Sequence, residues 1–179
     1  SPVKNINIKL AVNNPDGVTD HTVVNIPRAH FEMGNDPFDF RLLLRNPVSD
    51  MWVDAAAKGK LDLSRITQIV KLEEGTKITG VLNADASLKG NVDAVQKQQF
   101  DKFTAAGTIA LNGFSYLSKD YPDGVAVNRL LMTFNPRNVT LNEANGKYLG
   151  TTFEANGAIN NMLGYALKDE ALNGVVNVK

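Results

Sequence analysis

The amino-acid sequence predicts a mainly β protein built from long, twisted antiparallel strands joined by strand–short helix–strand units. Three observations carry that expectation. Apolar residues recur with period two along most of the chain, the mark of a half-buried strand. Pro- and Gly-containing turn signals separate the alternating runs. Glycines recur at matched spacings around three short amphipathic segments. The sheet is expected to close either as an open groove or as a two-layer sandwich, in a single domain over 1–179.

Taken in order, Ile6, Ile8, Leu10 and Val12 alternate with Asn5, Asn7 and Lys9, which predicts a strand near 4–12. Further strands are expected near 22–33, 37–46 and 50–63, the second of these carrying Phe38, Phe40, Leu42 and Leu44 on one side. The clearest alternation sets Ile78, Gly80, Leu82, Ala84, Ala86, Leu88 and Gly90 against polar neighbours, within a strand at 76–90. At about 3.3 Å per residue it runs roughly 40 Å, long beside the usual five or six residues. Strands near 103–112, 125–134, 147–159 and 172–178 complete the set. Asn14-Pro15-Asp16-Gly17 and Tyr121-Pro122-Asp123-Gly124 place Pro early and Gly late, as β-turns require, and Asn46-Pro47 and Asn135-Pro136 read as further reversals.

Three segments break the two-residue period. Ser64–Leu72, with Ser64 as N-cap, presents Ile66, Ile69 and Val70 on one stripe; Val92–Lys102 presents Val92, Val95 and Phe100 or Phe103; Asn161–Asp169 presents Leu163, Ala166 and Leu167. Gly90 and Gly107 lie 17 positions apart, as do Gly157 and Gly174, while Gly59 and Gly80 lie 21 apart. That regularity predicts three equivalent helices capping the same end or edge of the sheet.

The chain has 179 residues, 43% hydrophobic, with 19 basic residues against 19 acidic. Such a neutral, aromatic-poor chain is a poor partner for nucleic acid, which needs a basic face or stacking platforms. It has no cysteine, which excludes thiol nucleophiles, disulfides and thiolate metal sites. No apolar run is long enough for a membrane helix, and no signal peptide is evident. Both ends run into strand-like patterns, so the chain reads as a piece of a longer protein.

Catalytic patterns are thin. His30-Phe31-Glu32 has the spacing of a zinc deaminase, but the cysteine partners are missing. Gly75 and Gly80 have P-loop separation, yet Val81 stands where Lys is required. Glu73-Glu74 and Asp169-Glu170 read as solvated turn residues. Asp16, Asp20, Asp120 and Asp123 lack the register of a calcium loop and read as turn formers. Asn138-Val139-Thr140 is a glycosylation sequon only in a secreted eukaryotic protein. Neither a catalytic residue, a metal ligand nor a cofactor is expected.

What remains is the apolar face itself. Three short helices cannot cover several long strands, so part of that face must meet a second sheet, other parts of the protein or an apolar ligand. Small residues at Ala84, Ala86, Ala105 and Gly107 would leave room beneath such a ligand. The candidate lining residues are Leu61, Leu63, Ile78, Leu82, Leu88, Ile109 and Leu111.

Three stretches carry a family resemblance: 77–85 (Lys77-Ile78-Thr79-Gly80-Val81-Leu82-Asn83-Ala84-Asp85), 134–141 from Phe134-Asn135-Pro136 to Leu141, and 157–174 from Gly157-Ala158-Ile159 to Gly174. In order and spacing they resemble the C-terminal region of AsmA-like envelope proteins, over a span from about Val23 onward. That resemblance implies a periplasmic body anchored in the inner membrane of Gram-negative bacteria through a segment outside this stretch. It also implies a bent β-sheet with an apolar groove, related to bridge-like lipid-transfer proteins, and a role in outer-membrane assembly or phospholipid transport. The implied partners are phospholipid or another acyl-chain ligand, the remainder of the same polypeptide and envelope assembly proteins. The alternative is a structural or protein-interaction β domain with a fully packed core and no ligand.

Overall fold

Alternation along the chain becomes hydrogen-bonding along neighbouring strands. In the computed structural model, which describes residues 3–68, 71–120, 122–161, 171 and 173–179, the strands of the described residues form one antiparallel sheet of 11 strands. The strands are β1 (Val3–Ile8), β2 (Ala11–Asn13), β3 (Val23–Met33), β4 (Asp36–Arg45), β5 (Trp52–Asp62), β6 (Lys77–Asn91), β7 (Phe103–Leu117), β8 (Val125–Phe134), β9 (Val139–Tyr148), β10 (Thr151–Ile159) and β11 (Gly174–Val178). From β3 onward each strand pairs with the next in sequence, while β1 and β2 lie in line along the free side of β3. The mainly β, antiparallel expectation holds.

Several boundaries differ from the sequence reading, each for a local reason. The expected strand at 4–12 is broken after Ile8. Opposite the break, β3 carries a bulge at Pro27 and Arg28, and proline has no N–H for the ladder. The expected strand at 147–159 is two strands. Tyr148 pairs with Thr151 around a two-residue turn in which Leu149 and Gly150 both have positive φ, the hairpin geometry that matches strand twist. Strand β9 was not foreseen, because a register shift between Leu131 and Met132 of β8 moves its apolar set from Val139 and Leu141 to Ala144 and Gly146. Strand β7 runs past 112, through a bulge at Gly113 with φ near 60°.

The three equivalent helices are corrected. Leu63–Gln68 is a 3-10 helix, and Asp62 rather than Ser64 serves its start, accepting from the Ser64 amide at 3.1 Å and hydroxyl at 2.6 Å. Helix α1 (Val92–Gln96) is short and followed by a 3-10 turn at Phe100–Lys102. Met162–Glu170 lies outside the described residues. The two described helical segments do not cap the same end: one joins β5 to β6 and the other joins β6 to β7, so antiparallel topology puts them at opposite ends of β6.

Each end therefore has its own small core. Phe31, Met33, Phe38, Leu61 and Ala84 are buried at one end, with Ile66 of the 3-10 helix and Val3 of β1 packed on them; the Phe31 and Phe38 rings stack 5.5 Å apart. Met51, Val53, Val92 and Phe103 are buried at the other, beneath α1. Asn91 caps that helix by accepting from the Asp93 and Ala94 amides at 2.8 and 3.2 Å. The opposite face of the sheet is charged and solvated. Lys58 meets Asp85, Arg41 and Lys89 both meet Asp54, and Arg129 meets Glu143.

Candidate functional site

Strand register assembles the apolar residues into rows that cross the sheet. One row reads Leu61, Leu82, Leu111 and Leu130 along β5 to β8. The next reads Phe38, Gly59, Ala84, Ile109 and Met132. A third reads Phe40, Ala57, Ala86, Gly107 and Phe134, so small side chains at its centre are flanked by two phenylalanines. Leu42, Ala55, Leu88 and Ala105 form the fourth. The result is a continuous apolar face whose smallest side chains lie together at Ala57, Ala86 and Gly107.

No second sheet lies on that face among the described residues. The molecule exposes 10759 Å², against the roughly 8,500 Å² that area scaling gives a compact monomer of its mass. Of the seven candidate lining residues, Leu61 is buried in the first core, with Leu63, Leu82 and Ile109 packed against it. Leu88 packs on the second core, and Leu111 and Ile78 are half-buried, with Ile78 opposite Tyr116. Leu61, Leu82 and Leu111 are neighbours in one row. Leu88 lies nearer the α1 end, and Leu63 has left the strand for the 3-10 helix. Only Leu61 is fully covered.

Sequence reasoning missed the deepest part of the face. Beneath α1 the face forms a small apolar cavity of about 40 Å³, lined by Leu88, Val92, Val95, Phe103, Ala105, Phe134, Val139 and Ile159. Its rim is made of asparagines. Asn135 accepts from the Arg137 and Asn138 amides and so shapes the β8–β9 turn, while Asn161 donates to the Ala171 carbonyl and accepts from the Asn173 amide, clipping together the two ends of the β10–β11 connection. The stripe of Val92, Val95 and Phe103 was legible in sequence. Its alignment with Phe134, Val139 and Ile159 was not, because those residues come from three later strands.

The polar candidates are engaged in holding loops and strands. Asp20 accepts from the Val48 and Ser49 amides and from the Ser49 hydroxyl, tying the segment before β3 to the β4–β5 loop. The hydroxyl contact is the chief cause holding its carboxyl below the ordinary range. Asp16 lies 2.5 Å from His21, an interaction that lowers the carboxyl pKa and raises that of the imidazole. His30 lies opposite Asp39 on the charged face at 2.9 Å, with Glu32 at 3.6 Å. Among the described residues no group of three or more His, Asp or Glu could hold a metal ion, and no helix is long and apolar enough to cross a membrane. No family model matches the chain, nor does any curated protein or solved structure.

Proposed function

We propose that this chain is a non-enzymatic cell-envelope module that holds acyl chains against the apolar face of its sheet, as a segment of a phospholipid-transporting groove. One observation carries the reading: an apolar face spanning many strands has no second layer over it among the described residues. The resemblance of 77–85, 134–141 and 157–174 to AsmA-like envelope proteins supports the same reading and supplies its setting. In that setting the module works in the periplasm, joined to the inner membrane through a segment outside this stretch, with phospholipid and envelope assembly proteins as partners.

Physical chemistry makes the face suitable for handover rather than storage. Each methylene moved from water onto an apolar surface gains about 0.8 kcal/mol. A chain laid on an apolar face that is open on one side recovers only part of that, so it stays poised for release. Small residues at Ala57, Ala86 and Gly107 let the chain lie low between Phe40 and Phe134 at the two ends of their row.

Native mass spectrometry of the purified protein tests this by detecting co-purifying phospholipid. Leu82→Asp, on the apolar face, should abolish pickup, while Asn83→Asp, exposed on the other face, should leave it unchanged. Circular dichroism checks folding of the first variant, since an Asp among apolar neighbours is costly by itself. A folded Leu82→Asp protein that binds lipid as the parent does, or a parent that binds none, would overturn the reading.

A structural, protein-binding role is the second reading. It is favoured by the open edges of the sheet, where Ile6, Ile8, Val175 and Val178 are exposed. An empty parent protein in the same experiment would favour it.

A further inference from the structure

The edge of the sheet points to a self-association site: we propose that β11 of one chain pairs antiparallel with β11 of a second copy, about a two-fold axis centred on Val176. The inference stands on the backbone of the last strand and is independent of whether the apolar face carries lipid.

Among the described residues β11 is the outer strand of the sheet, and Val175, Val176 and Val178 are exposed on it. Glu154 and Lys179 exchange both of their main-chain hydrogen bonds, and the Asn160 amide donates to the Asn173 carbonyl. Inward and outward groups alternate along an antiparallel strand. Asn173, Val175, Asn177 and Lys179 therefore turn their amides and carbonyls toward β10, while those of Gly174, Val176 and Val178 turn outward.

The outward groups are complementary to themselves. A two-fold axis through Val176 sets Val176 against its own copy and Gly174 against Val178 of the second copy. Every outward amide and carbonyl then finds a partner, in about six main-chain hydrogen bonds. Gly174 continues the row of Val139 and Ile159, and Val176 continues the row of Leu141 and Gly157, so both belong to the apolar face. An axis normal to the sheet keeps that face on the same side in both copies, and the two apolar faces join into one. No charged residue lies between Gly174 and Val178, and the two Lys179 side chains fall at opposite ends of the pair.

The opposite edge is built differently. There β1 slips register between Lys4 and Asn7, Asn5 has φ near 51°, and the chain breaks before the three-residue β2. Such interruptions keep an edge from templating another strand, and β11 pairs with β10 without any register shift. That contrast selects β11 against β11 over a head-to-tail contact of β11 on β1, which would not close. An edge of five residues buries well under the roughly 1,200–2,000 Å² of a stable interface, so the dimer is weak, with a dissociation constant on the order of 100 μM.

Sedimentation velocity of the full chain, from about 10 μM to about 1 mM, brackets that value. The mean mass should rise toward twice that of the monomer and stop there. Val176→Pro removes the central outward amide without touching a bond to β10, and should leave the protein monomeric. Val176→Lys should weaken association at least about tenfold by setting like charges opposite each other. Val175→Lys, the same charge one residue away and on the other face, should change it less than about twofold. Mixing Val176→Lys with Val176→Asp should restore association as a heterodimer, because this residue faces itself across the axis; a folding defect would not be rescued by mixing. A parent that stays monomeric throughout, or a Val176→Pro protein that still dimerises, would overturn the proposal. Mass growing beyond the dimer would replace the two-fold contact with a head-to-tail one. Failure of the mixed variants to associate would overturn the register at Val176. None of these results bears on lipid pickup, which co-purifying phospholipid reports separately.

Discussion

The Cα of Gly107 packs so closely on β6 that a Cβ built there would come within 2.0 Å of the Asp85 carbonyl oxygen. The backbone at Gly107 also has φ near 103°, a conformation L side chains rarely adopt. Gly107 pairs with Ala86 at the centre of the apolar face, where two strands need the absence of a side chain. Gly107→Ala should therefore destabilise by about 2–4 kcal/mol, combining backbone strain with overpacking. Gly17→Ala, where positive φ is present but no atom lies within 4 Å, should cost only about 1–2 kcal/mol. Urea denaturation midpoints compare the two, and equal losses would show that the close approach across the strands is unimportant.

The two ends of the sheet should be more sensitive than its middle. Phe103 is 3% exposed beneath α1, and Phe103→Ala should cost about 3–5 kcal/mol. Leu111 has the same face but belongs to neither core, so Leu111→Ala should lose less than half as much. Thermal unfolding of both variants checks this. A comparable loss at Leu111 would mean that the face is as tightly packed there as at its ends.

Loss of the α1 cap should be felt in the second core. Asn91 accepts from two amides of the helix and also donates to Asp50. Asn91→Ala removes these bonds at a cost of about 1–2 kcal/mol. Asn91→Asp keeps the acceptor for the helix but faces Asp50 with a like charge, so it should recover only part of the loss. Denaturation midpoints of the two variants, compared with the parent, give the order.

Stability should fall off on both sides of a window set by the loop that precedes β3. Asp16 and Asp20 are held below the ordinary carboxylate value of 3.8 by hydrogen bonds from His21 and Ser49 respectively. Their contribution is present above 3.8 and is lost as pH falls through the lowered folded-state values. His21 is raised above 6.5 by its bond to Asp16, so its contribution is full below 6.5 and fades as pH rises through the raised value. All three are exposed, and the effects are small. Asp16→Asn should flatten the alkaline limb of a stability–pH profile measured by denaturant titration. A limb unchanged in that variant would remove His21 as its source.

Period-two alternation was sufficient to identify a mainly β chain and nearly all of its strands, because each residue's facing on a strand depends only on its parity. The Pro and Gly turn signals located the reversals at Gly17, Asn46, Gly124 and Asn135, where backbone conformation is a local property. Parity fails at bulges. A shift opposite Leu131 concealed β9, and Pro27 divided the first strand in two, since both depend on what a neighbouring strand can bond. The recurring glycines mark real backbone contacts at Gly90, Gly107, Gly157 and Gly174, although they do not place helices at a common end. Antiparallel topology decided that, because successive connections along a meander alternate between its two ends. The candidate face was legible as the set from Leu61 to Leu111, but the pocket was not. Val92, Phe134 and Ile159 belong to separate connections and strands, and only hydrogen-bonded register across β6 to β10 brings them around one space.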